Sequence, residues 1–228
     1  MENTTFVNPE VSSPRGALLK RPGPPGGVRD TNRLKKSQAI RDAALTLFLA
    51  RGVEGVSVDD IMKASQMAKG SFYRYFTDQA GLMEELMLPL KARMAEALEI
   101  CAADLAGTAN REAQTATYQR IALILSGLLT ECPGQVRLYL QECRAPGVGA
   151  RRPIVELAKR VTVAAIDITA QAQQAGLAKP GNPAIAALTV VGAVERLLFA
   201  LLHNEDIGDH AAVPPVLMAT LLEGLKRK

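Results

Sequence analysis

Lys69, Gly70, Ser71, Tyr73, Arg74 and Tyr75 crowd into one run, Lys69-Gly70-Ser71-Phe72-Tyr73-Arg74-Tyr75-Phe76, which mixes an ammonium, a bare backbone, a hydroxyl, a guanidinium and two phenols. With Ala68, the first of these residues lie at the start of a short helical pattern, and the N-terminal side chains of a helix placed in the DNA major groove reach base edges. Lys69 can donate to guanine O6 or N7, Gly70 lets the backbone come close, and Ser71 can bond a base or a phosphate. Ser57 opens the stretch Ser57-Val58-Asp59-Asp60. Its hydroxyl or the free amides behind it can hold a phosphate, and capping alone would equally justify it, with the acids favoured at the positive helix end. Lys63 and Arg74 read as further phosphate donors or as solvated cations.

No competing chemistry assembles elsewhere. The chain has two histidines, His203 and His210, and neither stands in a metal-ligand or nucleophile-base context, so neither an enzyme nor a cofactor or metal site is expected. Gly147-Val148-Gly149 before Arg151 and Arg152 hints at a phosphate cradle, but it follows no strand and Pro153 suits a helix start, so it reads as an inter-helix loop. Cys101, Cys132 and Cys143 lack paired or ligand spacing and read as reduced thiols. The most apolar stretch, Ile185 to Leu202, is broken by Glu195 and Arg196, and no apolar signal core opens the sequence. A cytoplasmic protein without a membrane span is expected, in which the Asn3-Thr4-Thr5 sequon has no secretory context.

At 228 residues the chain has room for a small head and a larger partner domain. Its 48% hydrophobic content includes only 4% aromatics and no Trp, which leaves Leu, Ala, Ile, Val and Met to build helices. The charge of +4 is uneven: residues 1–76 hold 12 basic and 7 acidic side chains, residues 77–228 hold 15 and 16. Arg15, Lys20, Arg21, Arg29, Arg33, Lys35, Lys36 and Arg41 face Asp30 alone between residues 15 and 41, a density suited to a phosphate backbone or to a solvated tail.

The elements that must carry the run follow from periodicity. Residues 1–31, rich in Pro and Gly, predict a disordered basic arm. Leu34, Ile40, Ala43, Ala44, Leu47 and Phe48 predict a first helix ending at Gly52. A second helix runs from Ser57 to about Ala64, a third covers Ala68 to Tyr75, and a break at Ser65-Gln66-Met67 separates the two, which is a helix-turn-helix. A long fourth helix starts at Thr77 or Asp78 and should kink near residue 86, because Pro89 lacks an N–H. Further helices are expected near 112–131, 134–145, 153–175, 184–203 and 212–226.

Val53 to Leu86 closely resembles the DNA-binding signature of the tetracycline-repressor (TetR) family, above all at the octapeptide 69–76. The resemblance implies an all-α protein of about nine helices, with a three-helix head (32–77) and a C-terminal ligand-binding and dimerisation bundle (78–228). It implies a repressor that binds a palindromic double-stranded DNA operator as a homodimer and is released by a small, hydrophobic effector. The family's phosphate- and base-contacting positions fall on Tyr73 and Tyr75, whose plainer reading is an aromatic tip on the head surface, while Phe72 and Phe76 pack inside with Ile61 and Phe48. The candidate DNA contacts are therefore Ser57, Ala68, Lys69, Gly70, Ser71, Tyr73, Arg74, Tyr75, Gln79 and, from the arm, Arg33. Two departures stand out. Gln66 occupies a turn position where the family often has glycine, so it is expected to carry mild strain or to mark a different turn. Gln79 replaces a frequent lysine, so a neutral hydrogen bond would replace a charged contact, with Arg29 and Arg33 able to compensate from the minor groove.

Ile185, Leu188, Val191, Leu198 and Leu201, with Leu217 and Leu221 of the last helix, predict a four-helix dimer interface. An effector cavity lined by Leu123, Leu128, Tyr118, Leu138, Tyr139 and Val163 would draw polar anchors from Glu131, Glu142 or Arg120, although the plainer reading makes Tyr118 and Tyr139 packing residues and Glu131 and Glu142 solvent-facing acids. The competing readings are a constitutive DNA-binding protein and a helical scaffold for another protein.

Overall fold

The computed structural model of the chain describes residues 27–107, 111–213, 215–217 and 219–220. The predicted arm, apart from its last residues, and Leu221 lie outside them. By contact the chain divides into Met1–Lys36 and Ser37–Lys228. In the first unit, helix begins at Val28, ahead of the expected residue 32, and Arg29 and Arg33 are exposed on its opening turns.

Among the described residues the architecture is all-helical. The α-helices are α1 (Val28–Arg51), α2 (Val58–Ala64), α3 (Gln79–Gly107), α4 (Arg111–Glu131), α5 (Pro133–Glu142), α6 (Arg152–Gln174) and α7 (Pro183–Leu202). Proline opens α5, α6 and α7, where its missing N–H costs nothing and its fixed φ suits a first turn. Gly52 ends α1 at φ 74°, and its N–H donates to the Phe48 carbonyl at 2.9 Å, as a left-handed cap requires. After a 3₁₀ turn at His210–Ala212, α-helical residues resume at 213.

Three helical segments make the head. Ile40, Ala44 and Phe48 of α1, Ile61 and Met62 of α2, and Phe72 and Phe76 of the third segment are buried with Leu82, Met83 and Leu86 of α3. The inward placement of Phe48, Ile61, Phe72 and Phe76 is the one their periodicity requires. The third segment, expected as an α-helix, is a 3₁₀ helix over Lys69–Arg74. Its tighter winding fits so short a piece between the turn at Gln66 and the start of α3.

α3 continues through Pro89 as one 29-residue helix. Its first half belongs to the head core, and farther along it packs against α4 and α6. α6 packs in turn on α7, and α5 touches α3, α4 and α7. By length and composition α7, with a mean hydropathy of 2.1, could cross a membrane. Its Glu195 is paired with Arg144 and its Arg196 with Glu205, and α5 and α6 cover part of it.

Gln66 stands at φ 57°, in the left-handed region the sequence anticipated for it. The turn is fixed by its N–H to the Lys63 carbonyl (3.1 Å) and by the Met67 N–H to the Met62 carbonyl (2.9 Å). A side chain there costs about 1–2 kcal/mol, which glycine avoids at some expense in unfolded-chain entropy. Gln66→Gly is expected to raise stability by up to about 1 kcal/mol in equilibrium urea unfolding. An unchanged or lower midpoint would show the turn to be unstrained.

Candidate nucleic-acid interface

The outer surface of the head is built by the start of α2 and by the 3₁₀ segment. Ser57 is the N-cap of α2 in a complete capping box: the Asp60 N–H donates to its Oγ (3.2 Å), and its own N–H donates to Asp60 Oδ2 (2.9 Å). The Ser57 hydroxyl also donates to that carboxylate at 2.6 Å. These bonds, with Arg51 nearby, hold the Asp60 carboxyl below its usual range. The capping reading of Ser57 is therefore realised, and its hydroxyl is already engaged.

Ala68, Lys69 and Gly70 are exposed, Tyr73 is 66% exposed, Arg74 is exposed, and Ser71 and Tyr75 are half-buried. Tyr73 stands edge-on to Phe72, ring centres 5.4 Å apart, so the buried ring props the exposed one. The Arg74 guanidinium lies 5.8 Å from the Tyr75 ring centre. Ser71 donates its hydroxyl to the Ala68 carbonyl at 2.6 Å, which leaves the oxygen lone pairs to accept. A Cβ built on Gly70 would meet nothing within 4 Å, so the free protein itself does not require glycine there. Lys63 is exposed on α2.

Gln79 is used differently from the expectation. Its amide Nε2 donates to the Val56 carbonyl at 2.8 Å, tying the start of α3 to the loop before α2 instead of pointing outward. The partner that sequence reasoning missed is Asp59. Its carboxylate meets Lys69 Nζ at 2.6 Å, on the same face, with side chains 57% and 69% exposed, and it raises the Lys69 pKa above its ordinary value. Ten residues separate the two in sequence, so helical spacing alone gives no hint of the pair.

The head is anchored to the bundle by a buried polar cluster. Glu142, 4% exposed at the end of α5, accepts from Arg151 Nε at 2.6 Å and from the Val53 backbone N–H at 3.2 Å. Gln141 Nε2 adds a third contact at 3.3 Å. Arg151 also reaches Glu54 at 3.2 Å and the Pro146 carbonyl at 3.4 Å. At the other end of α5, a Cβ on Gly134 would lie 2.8 Å from Leu45 Cδ2 of α1, so glycine permits this close approach. Arg41 of α1 pairs with Glu85 of α3 at 2.8 Å.

The residues expected to line an effector cavity differ in exposure. Leu128, Leu138 and Tyr139 are buried, whereas Leu123 and Val163 are 73% and 58% exposed. Glu142 serves the head anchor, and Glu131 is exposed and paired with Arg93. The Tyr139 hydroxyl donates to Glu195 at 2.9 Å, and burial, reinforced by that carboxylate, pushes its pKa well up. Arg120 reaches Asp104 at 3.4 Å. The side chain of Tyr118 lies outside the described residues. A cleft of about 310 Å³ lies instead among Leu49, Arg137, Gln141, Phe199 and His203.

Of the expected dimer residues, Ile185 and Leu188 are 66% and 48% exposed, and Val191, Leu201 and Leu217 are half-buried. Leu198, 8% exposed, belongs to the chain's own core. Ile185, Leu188, Gly192 and Phe199 fall on one stripe of α7 by helical spacing, and a Cβ on Gly192 would meet nothing within 4 Å. Burial raises the thiol of Cys132, and raises those of Cys101 and Cys143 to about 11, so all three free cysteines stay protonated near neutral pH.

Residues 40–86 match the sequence model of bacterial regulatory proteins of the tetR family. No curated protein matches the chain. Among solved structures, NalD of Pseudomonas aeruginosa, described as the secondary repressor of the MexAB-OprM multidrug efflux pump, is 20% identical with a TM-score of 0.67, over 87% of this chain and 99% of its own. A tetR-family regulator from Shewanella sp. PV-4 is 18% identical with a TM-score of 0.62, over 85% and 99%. FadR of Bacillus subtilis, in complex with stearoyl-CoA, is 22% identical with a TM-score of 0.58, over 83% and 99%.

Arg151 and Glu142 are 11% and 6% exposed, so losing Arg151 leaves the Glu142 charge in a dry site with only the Val53 N–H and the Gln141 amide to hold it. Arg151→Ala is expected to cost roughly 3–5 kcal/mol in urea unfolding. A loss under about 1 kcal/mol would put the pair with ordinary surface bridges.

Proposed function

We propose that this chain, a member of the TetR family of transcriptional regulators through residues 40–86 and through its fold, is a cytoplasmic, ligand-responsive repressor that binds a palindromic DNA operator as a homodimer. The observation that carries the reading is the solvent-facing set Lys69, Gly70, Ser71 and Tyr73 on a head whose interior is packed from four helical segments. Rigid scaffolding under exposed donors is what base readout needs, and phosphate contacts from Arg74, Lys63 and Tyr75 would fix the register. The amides of Val58 and Asp59 behind Ser57 and the exposed Arg33 are additional phosphate donors in this reading, and Ala68 offers an apolar contact. Gln79 positions the head and does not itself touch DNA.

Dimerisation uses the α7 stripe. Ile185, Leu188 and Phe199 supply apolar area, Gly192 allows a partner helix to come close, and Val191 and Leu217 add to the interface, with Leu221 assigned to it on its sequence pattern alone, while Leu198 serves each chain's own core and Leu201 lies on the opposite side of α7 by helical spacing. Two heads then address two half-sites one helical turn apart, about 34–36 Å. The effector is a small apolar molecule, a reading supported by the fold shared with a protein crystallised with an acyl-CoA. Effector-driven release requires two states with different head separations, α3 being the element common to head and bundle.

Genomic fragments captured on the purified protein at near-physiological salt test this directly. Enrichment of a palindrome, with affinity falling steeply as salt rises, is expected. A folded, dimeric protein that enriches nothing would favour a protein-binding scaffold. Gly70 offers a second test, because free space surrounds it. Gly70→Ala should leave thermal stability unchanged or slightly higher and still weaken operator binding at least several-fold. Unchanged binding would show that the backbone does not approach DNA there.

A further inference from the structure

An acid on a DNA-binding surface is repelled by phosphates, and an exposed ion pair contributes little to stability. The Asp59–Lys69 pair, at 2.6 Å on the outer face of the head, therefore calls for a role in binding. Within one base pair, the amino group of cytosine N4 and the keto oxygen of guanine O6 are themselves hydrogen-bonded, about 2.9 Å apart, and both show an unused site to the major groove. A carboxylate and an ammonium held at nearly the same spacing form the complementary edge.

We propose that Asp59 is a specificity-determining residue, reading one base pair jointly with Lys69: the ammonium donates to the keto oxygen and the carboxylate accepts from the amino group. The inference rests on the DNA-binding reading above and deepens it. Neither protein group breaks its bond to the other. The ammonium has three protons, of which one holds Asp59, and the carboxylate has lone pairs left after accepting it. The arrangement demands a keto base under Lys69 and an amino base under Asp59. G·C and T·A in that orientation satisfy it, whereas C·G and A·T set donor against donor and acceptor against acceptor. Guanine is preferred over thymine, because N7 offers Lys69 a second acceptor and thymine adds a methyl group.

Asp60, its neighbour, is spent in the capping box with Ser57, so the two adjacent acids divide the work of closing the helix and reading the base. Asp59 has no capping bond to lose, and its side chain is exposed, so substitution leaves the fold intact.

The test selects sequences from a duplex DNA library with a randomised centre, using the full-length wild type, Asp59→Ala, Asp59→Asn and Lys69→Ala. Wild type should select a keto/amino-oriented pair at one position of each half-site. Asp59→Ala should lose discrimination there by about tenfold, at the same position as Lys69→Ala, while its affinity for non-specific DNA rises. Asp59→Asn, which keeps an acceptor without the charge, should retain most of the preference. An Asp59→Ala profile that keeps its preferences and merely binds every sequence more tightly would overturn the proposal. Effects of the two residues at different positions would do the same. Failure of the wild type to select any sequence would instead sink the DNA-binding reading itself.

Discussion

The buried ion pair between Glu142 and Arg151 is the constraint on which the arrangement of head and bundle depends. A carboxylate 4% exposed is tolerated in a dry setting only when its lone pairs are filled, and here the filling groups come from both sides of the junction. The Val53 amide belongs to the loop that leaves the first head helix, and Arg151 belongs to the turn before α6. Separating head from bundle would take the Val53 amide from the buried carboxylate and Glu54 from its guanidinium partner at once. The head is held at a defined place, and the outer face it presents is correspondingly defined.

That fixed placement gives the exposed side chains their meaning. On a loosely tethered head, Lys69 and Tyr73 would be two mobile surface groups. Here Tyr73 is propped edge-on by the buried Phe72 ring and Lys69 is held by Asp59, so each has a limited range of directions. The same packing explains why the short 3₁₀ segment persists although six residues cannot hold helical form alone. Its shape is imposed by the core beneath it.

Much of this was legible in the sequence, because helix periodicity, prolines at helix starts and the glycine cap at Gly52 act locally. The helices expected at 112–131, 134–145, 153–175 and 184–203 fall within a few residues of α4, α5, α6 and α7. Gln66 was readable from its place in the turn. Long-range pairing was not. Glu142 and Val53 are 89 residues apart, and nothing in the local pattern of either announces the other, so Glu142 read as a ligand anchor or a solvent-facing acid. Gln79 read as outward-facing because its position suggested a phosphate contact, whereas a neutral amide is free to turn inward and satisfy the Val56 carbonyl. Leu198 shows the limit of stripe counting: on a helix apolar on several faces, periodicity cannot separate the face used by the chain itself from the face left over.

The leftover face of α7 bears on how the protein's robustness must be described. A helix of mean hydropathy 2.1 with only 22% of its most apolar window buried leaves part of its burial unfinished within one molecule. Whatever covers the stripe of Ile185, Leu188 and Phe199 contributes by mass action, as the logarithm of its concentration over its dissociation constant. Where a second copy covers it, as proposed, resistance to heat or denaturant belongs to a solution and not to a chain: it grows with how much of the protein a cell keeps, and dilution alone erodes it.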